Sequence, residues 1–222
     1  MLPTVPLPRR PLHPSDPVRR WYENELGWAT VPGSPLRLAA GLRFDVLDVP
    51  AEAGVRALRH LGPASPVALH TSRSAPCEDP AARRAKWPAR HGTRMWLLVA
   101  AGSAEELPGL LDWLEWGALA LDLTAIGAGG SIEAPLPPGM PEGPLTTDGA
   151  GTDGAGGAGP QGAAVWLRPP EPGCEVEPSL PTLSAVGGDG GAPDLVRLVD
   201  TMATQCHRVR LRRACAQPPA YS

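Results

Sequence analysis

Apolar and polar residues alternate along several short stretches of this chain, and a period of two predicts β-strands with one buried face. The clearest stretch is 42–49, where Phe44 and Val46 flank Asp45. The segment 94–100, which is apolar from Met95 onwards, predicts a buried strand. Further strands are predicted over 28–31, 66–70, 118–126, 131–135 and 163–168.

Other stretches repeat apolar residues at helical spacing and carry helix-start signals. Asp16 and Pro17 begin one helix, and Gly27 ends it. The predicted helices are 17–26, 51–61, a helix that starts either at Ser103 through a capping box with Glu106 or at Pro108, and a last helix that Asp194 caps. This order of elements predicts an α/β (α+β) fold, with a mixed β-sheet and helices packed on it.

Several segments are rich in proline or glycine and poor in apolar side chains, so we expect them to lack regular structure. Residues 1–14 form a predicted disordered Pro-rich arm, and 136–162 form a flexible insertion. Because a strand is predicted directly after this insertion, we assign it to the interior of a single domain over 15–213. The tail, 214–222, is also predicted to be disordered.

Composition narrows the class of protein. The length of 222 residues fits one domain. The formal net charge is −3. No apolar run approaches the roughly 18 residues of a membrane-spanning helix, and the N-terminus has no apolar signal-peptide core. The 4 cysteines form no CxxC pair, which indicates free thiols in a reducing compartment. We therefore expect a cytoplasmic protein with no membrane association.

Arginine supplies every basic residue except Lys86, a bias that GC-rich codons also produce. The basic residues nevertheless cluster over 73–94 and 208–213, and such clusters can contact phosphate groups. In an acidic chain this binding would be local and sensitive to salt. The candidate residues for binding phosphate or nucleic acid are Arg83, Arg84, Lys86, Arg90 and Arg94.

Four segments over residues 18–135 carry motif-like patterns in a consistent order. They are Gly27-Trp28 followed by Pro32, similar to GW-x-x-x-P; Val46 to Pro50 followed by Gly54, similar to hhhDhDPxxGG; Gly92 to Leu97, similar to GGRHLYF; and Gly129 to Pro135, similar to GGYVVAPPS. Together they resemble the primase/polymerase domain of bifunctional DNA primase–polymerases, a relative of the archaeo-eukaryotic primases. The resemblance implies a primase/polymerase-like fold and nucleotidyl transfer that depends on Mg²⁺ or Mn²⁺.

The residues that would hold the metal in such a family are only partly present. The resemblance assigns Asp48 to the first carboxylate of a D-x-D pair, as a metal ligand, but Pro50 occupies the second position. Asp45 is three residues from Asp48, so a regular strand points the two side chains to opposite faces. The family's phosphate-contacting histidine falls on Met95. Its later carboxylate falls near Thr124, and Asp122 can replace it only with a register shift. The candidate catalytic residues are therefore Asp48, Asp122 and Asp45, in a degenerate site.

Three hypotheses follow about function. The first is a primase/polymerase-like protein of DNA replication that has lost catalysis and keeps nucleotide or nucleic-acid binding, or a scaffold role. The second is an active nucleotidyltransferase with displaced carboxylates, which alone requires Mg²⁺ or Mn²⁺ as a cofactor. The third is a regulatory protein that binds a protein partner through its Pro-rich arm. The missing carboxylate and histidine favour the first, so we expect no enzymatic activity.

Overall fold

The computed structural model describes residues 16–33, 35–61, 65–72, 92–140, 164–173, 176–183 and 194–216. The predicted Pro-rich arm 1–14 and most of the predicted insertion 136–162 lie outside these ranges. Four of the five candidate basic residues also lie outside them, namely Arg83, Arg84, Lys86 and Arg90. Arg94 and the three candidate aspartates lie within them.

The described residues form a mixed α/β structure of four α-helices and two antiparallel sheets. The helices are α1 (Pro17–Arg20), which continues into a π-helical turn over Trp21–Glu25, α2 (Ala51–Leu58), α3 (Ser103–Trp113) and α4 (Leu195–Ala216). The strands are β1 (Thr30–Val31), β2 (Arg37–Ala39), β3 (Phe44–Pro50), β4 (Val67–Ser72), β5 (Gly92–Ala100), β6 (Thr124–Ile126), β7 (Ser131–Glu133) and β8 (Ala164–Arg168).

The larger sheet has five strands in the order β6–β3–β5–β4–β8, and neighbouring strands pair antiparallel. Strands β3 and β4 therefore run parallel to each other, with β5 between them and α2 in the connection. The succession β3–α2–β4–β5–α3–β6 is the β-α-β-β-α-β order of ferredoxin-like folds. The predicted mixed sheet is wrong in this respect, because β5 separates the two strands that a simple β-α-β unit would pair in parallel.

Strand β3 lies in the interior, and all seven of its residues are buried. On one face, Leu47 and Val49 pack in a core that includes residues of α2, α3 and α4. On the other face, Phe44 and Val46 pack in a second core with Tyr22 and with the small sheet β1–β2–β7. A strand that is covered on both sides carries its polar side chains, including the candidate aspartates, into the interior.

The strand predicted over 118–126 is wrong over most of its length, because only Thr124–Ile126 pairs with β3. Leu121 and Leu123 are buried in the helix-side core. Their apolar alternation therefore reflects the packing of an irregular segment rather than a strand. Among the described helices, none combines the length and the apolar character needed to cross a lipid bilayer.

Candidate functional site

Asp48 and Asp122, two of the candidate carboxylates, meet at one end of the larger sheet, beside Arg94. Asp48 pairs with Trp96 of β5 and with Thr124 of β6. Arg94 lies two residues before Trp96, so it is the diagonal neighbour of Asp48 on the same sheet face. Asp122 lies two residues before Thr124, in the irregular segment that leads into β6. The sheet register thus brings together three ionisable side chains that are distant in sequence.

The guanidinium of Arg94 lies between the two carboxylates. Its Nε donates to Asp48 Oδ1 and its Nη1 donates to Asp122 Oδ1, both at 2.8 Å. Its Nη2 also donates to the backbone carbonyl of Asp48 at 3.1 Å. The side chains of Arg94 and Asp48 are 5% and 7% exposed, whereas that of Asp122 is 41% exposed. Arg94 is thus fixed on two sides by acids, one buried and one partly open to solvent.

The charges of this cluster stabilise one another. Burial acts to lower the pKa of Arg94, but the hydrogen bond and charge of Asp48, together with Asp122, outweigh it and raise the pKa. Arg94 is therefore a permanent cation, and it satisfies one oxygen of each carboxylate. Sequence reasoning expected Arg94 to contact phosphate; in the structure its contacts are to these two acids.

A shallow pocket of about 220 Å³ opens beside the cluster. Arg94 and Asp122 line its inner side, and Arg213, near the end of α4, lines it from the helical layer. The start of α2 and the start of β5 complete the lining, with Pro50, Ala51, Glu52, Gly92 and Thr93. Asp48 is absent from the lining, so a molecule in the pocket would meet Arg94 and Asp122.

The described residues offer no metal centre: no group of three or more His, Cys, Asp or Glu side chains among them is arranged to hold an ion. Pro50, at the expected position of a second carboxylate, has no donor atom in its side chain. Met95, at the expected position of a histidine, is fully buried and contacts Gly54 of α2 on the opposite face.

Asp45 is separated from the cluster. The register of β3 with β5 is unbroken from Phe44 to Pro50, so no bulge turns Asp45 towards Asp48. Asp45 Oδ2 instead accepts a hydrogen bond from the backbone N–H of Ala104 at 2.8 Å, in the first turn of α3. Burial raises the pKa of Asp45, and the charge of Glu105 adds to the effect, while the hydrogen bond from Ala104 opposes it. The side chain caps a helix rather than joining a catalytic set.

His70 and Glu133 form a second polar contact that the sequence did not single out. His70 is the register partner of Arg94, and its ring stacks on Trp96 with centroids 4.4 Å apart. Its Nε2 lies 3.5 Å from Glu133 Oε2, which bridges β4 to the small sheet. Glu133 Oε1 is buried and has no hydrogen-bond partner among the described residues. The only sequence signal for this pair is an ionisable residue within each of two predicted strands.

Cys206 is also near the cluster, and its thiol is buried. It lies on the apolar stripe of α4, and its Sγ is 3.8 Å from the backbone oxygen of Asp122. Burial, followed by the charge of Asp122, raises the pKa of the thiol to about 12. A thiol with this pKa is protonated at neutral pH and is not a nucleophile.

Comparisons with protein-family models, with curated protein sequences and with solved structures found no match.

Proposed function

We propose that this protein is a primase/polymerase-like domain that has lost metal-dependent nucleotidyl transfer and acts by binding a nucleotide or nucleic acid, or as a scaffold. The observation that carries the proposal is the Arg94 guanidinium between the Asp48 and Asp122 carboxylates. This internal cation occupies one oxygen of each of two carboxylates that a polymerase would offer to metal ions.

Metal-dependent transfer requires more free oxygen ligands than this cluster offers. Two-metal catalysis uses ions about 3.5–4 Å apart that share carboxylate ligands, and Mg²⁺ demands a nearly octahedral set of oxygens. Arg94 takes one oxygen of each acid at 2.8 Å. Pro50 and Met95 supply no replacement ligand. The cluster is therefore better suited to a fixed ion pair than to an exchangeable metal.

The positions of the motif-like segments support a primase/polymerase-like relationship. The segment with Asp48 forms β3, and the segment with Arg94 begins β5, so the two lie on neighbouring antiparallel strands. The residues that resemble the family's chemistry thus converge on one end of one sheet. A ferredoxin-like order of elements surrounds them.

The direct test is incorporation of a labelled nucleotide into a primed DNA template with Mg²⁺ or Mn²⁺. We expect the wild-type protein to give no signal above background, and Asp122→Asn to give the same background. Asp122 is the better variant here because its side chain is partly exposed and its replacement disturbs the fold least. Robust incorporation by the wild type, abolished by Asp122→Asn, would instead establish an active nucleotidyltransferase with displaced carboxylates.

A second arm tests the internal cation without relying on activity. Arg94→Met removes the charge and frees both carboxylates, so Mn²⁺ should bind the variant and stabilise it by mass action. We expect millimolar Mn²⁺ to raise the Tm of Arg94→Met by about 3 °C, or about 1 kcal/mol at this chain length. The wild type and Arg37→Met, which loses an exposed arginine that bonds Ser131, should not shift. Tight Mn²⁺ binding to the wild type, measured by electron paramagnetic resonance, would contradict the proposal even if Arg94→Met failed to fold.

A further inference from the structure

A basic surface lies on the helical layer, where α2 packs against α4. Over residues 51–60 and 206–216 the acidic residues number one, Glu52, whereas the arginines number six. The name α2–α4 arginine surface is used for these six, which surround the C-terminal part of α4 because Arg208 and Arg210 lie on nearly opposite sides of that helix: Arg56, Arg59, Arg208, Arg210, Arg212 and Arg213. The two stretches carry a local charge of +5 in a chain whose net charge is −3, so positive charge is concentrated here.

Within the described residues, little of this charge is neutralised. Glu52 alone pairs with both Arg56 and Arg212, each at 3.2 Å. Arg210 donates to the backbone carbonyl of Ala120 at 3.0 Å, which leaves its charge uncompensated. The remaining three form no salt bridge with any residue in the described ranges: Arg59, Arg208 and Arg213.

Stability of the helices does not account for this arrangement. The helix dipole favours cations in the last turn, but Arg213 is the arginine that lies in the last turn of α4. Arg208 and Arg212 are four residues apart on one helix, and like charges at this spacing repel and destabilise the helix. Binding of a negatively charged ligand would offset the repulsion among these arginines.

We propose that the α2–α4 arginine surface binds the phosphate backbone of a nucleic acid. One guanidinium group can donate two parallel hydrogen bonds to the oxygens of one phosphate. The negative charges of a nucleic acid backbone repeat at close spacing, so several arginines can bind neighbouring phosphates. Arg213 also lines the pocket beside Arg94 and Asp122, so a strand on this surface would pass the candidate site. The surface is inferred from charge and geometry, and the choice of nucleic acid over an acidic polypeptide rests on the proposed function.

The experiment measures the Kd of a fluorescein-labelled 20-nucleotide single strand by anisotropy between 50 and 200 mM NaCl. We expect log Kd to rise linearly with log salt for the wild type. The double variant Arg59→Gln/Arg208→Gln should weaken binding at least fivefold at 100 mM NaCl and reduce the salt slope by about 1 to 2. The matched control is Arg37→Gln/Arg43→Gln, which removes the same charge from arginines that bond Ser131 and Glu177 away from this surface. The Kd of this control variant should stay within twofold of the wild-type Kd.

Several outcomes overturn the proposal. They are equal losses in the two double variants, wild-type binding that does not respond to salt, absence of binding at 50 mM NaCl, and polyglutamate binding as tightly as the oligonucleotide at equal charge. Circular dichroism establishes that both variants are folded. The incorporation assay tests the proposed function separately. If the wild type incorporates nucleotide and also binds the oligonucleotide through these arginines, the proposed surface stands and the proposed loss of activity is wrong.

Discussion

At the scale of single residues, the burial of each partner decides the contribution of each ion pair. Breaking a buried pair leaves an uncompensated charge and costs about 3–5 kcal/mol, whereas exposed pairs contribute up to about 1 kcal/mol. Arg94 makes one pair of each kind, with Asp48 at 7% exposure and with Asp122 at 41%. The two aspartates therefore differ in energetic role although their distances to Arg94 are equal.

We expect Asp48→Asn to lower the free energy of unfolding by about 3 kcal/mol and Asp122→Asn to lower it by about 1 kcal/mol or less. Asparagine has nearly the same volume as aspartate, so the comparison isolates charge. Urea unfolding at pH 7 measures both values. Equal losses for the two variants would refute the assignment of Asp48 as the buried partner.

Glu115 is a second residue with a local energetic cost. It has φ of 64°, a left-handed conformation that a side chain disfavours. The N–H of Glu115 bonds Asp112 and the N–H of Trp116 bonds Leu111, at 3.1 and 2.8 Å. These are the two hydrogen bonds of a Schellman motif, whose left-handed position is usually glycine.

Glu115→Gly should therefore raise the free energy of unfolding by about 1 kcal/mol, because it removes backbone strain at the end of α3. The corresponding rise in Tm is about 2–4 °C. Gly129→Ala is the reciprocal control: Gly129 has φ of +75° and no atom within 4 Å of an added Cβ, so it should lose stability through strain alone. A lower Tm for Glu115→Gly would contradict this account.

At the scale of elements, caps that are local in sequence predicted the starts of α1 and α4. Asp16 accepts from Val18 N–H at 3.1 Å, and Asp194 accepts from Val196 N–H at 2.8 Å, as their positions predicted. The start of α3 is different, because Asp45 of β3 supplies the acceptor. The alternative start at Pro108 is wrong, since Pro108 lies inside α3 and is tolerated there. A cap contributed by a distant strand leaves no signal near the helix.

The burial of Asp45 should make the free energy of unfolding depend on pH. Burial raises the pKa of Asp45 above the ordinary value of 3.8, so the folded state binds its proton more tightly than the unfolded state. The contribution of this group to stability therefore falls as pH rises from about 3.8 through the raised pKa. Asp45→Asn keeps an oxygen acceptor for Ala104 and should gain stability relative to the wild type over this range. Urea unfolding from pH 3.5 to 7 measures the difference, and a difference that does not change with pH would rule out this role.

The sequence predicted the two aspartates of the candidate site, but it did not predict that Arg94 lies between them. The resemblance marks the position of Asp48, and Asp122 lies two residues from a second marked position. Strand periodicity correctly separated Asp45 from Asp48. The role of Arg94 depends on which residues of β5 and β6 face Asp48, and a period of two does not specify the register or the neighbour of a strand. The contact between His70 and Glu133 was missed for the same reason, because it joins two different sheets.

At the scale of the whole molecule, the larger sheet has an apolar core on each face. Its helix-side face carries the apolar core with α2, α3 and α4. On the opposite face, Asp48, Arg94 and His70 lie towards one end of the sheet. Positive charge is concentrated in the helical layer, on the α2–α4 arginine surface. The α/β class followed from the periodicities. The antiparallel arrangement did not, because it depends on β5 lying between two strands that precede it in the chain.

The order of the strands also sets a delay during synthesis. Strand β3 pairs with β5 and β6, and both follow it in the chain. At roughly 5–20 residues per second, a ribosome needs roughly 2–10 seconds after finishing β3 to complete β5. For that interval β3, which is buried on both faces in the folded protein, has emerged without either of its neighbours, so the nascent chain is most vulnerable to aggregation before its core can close.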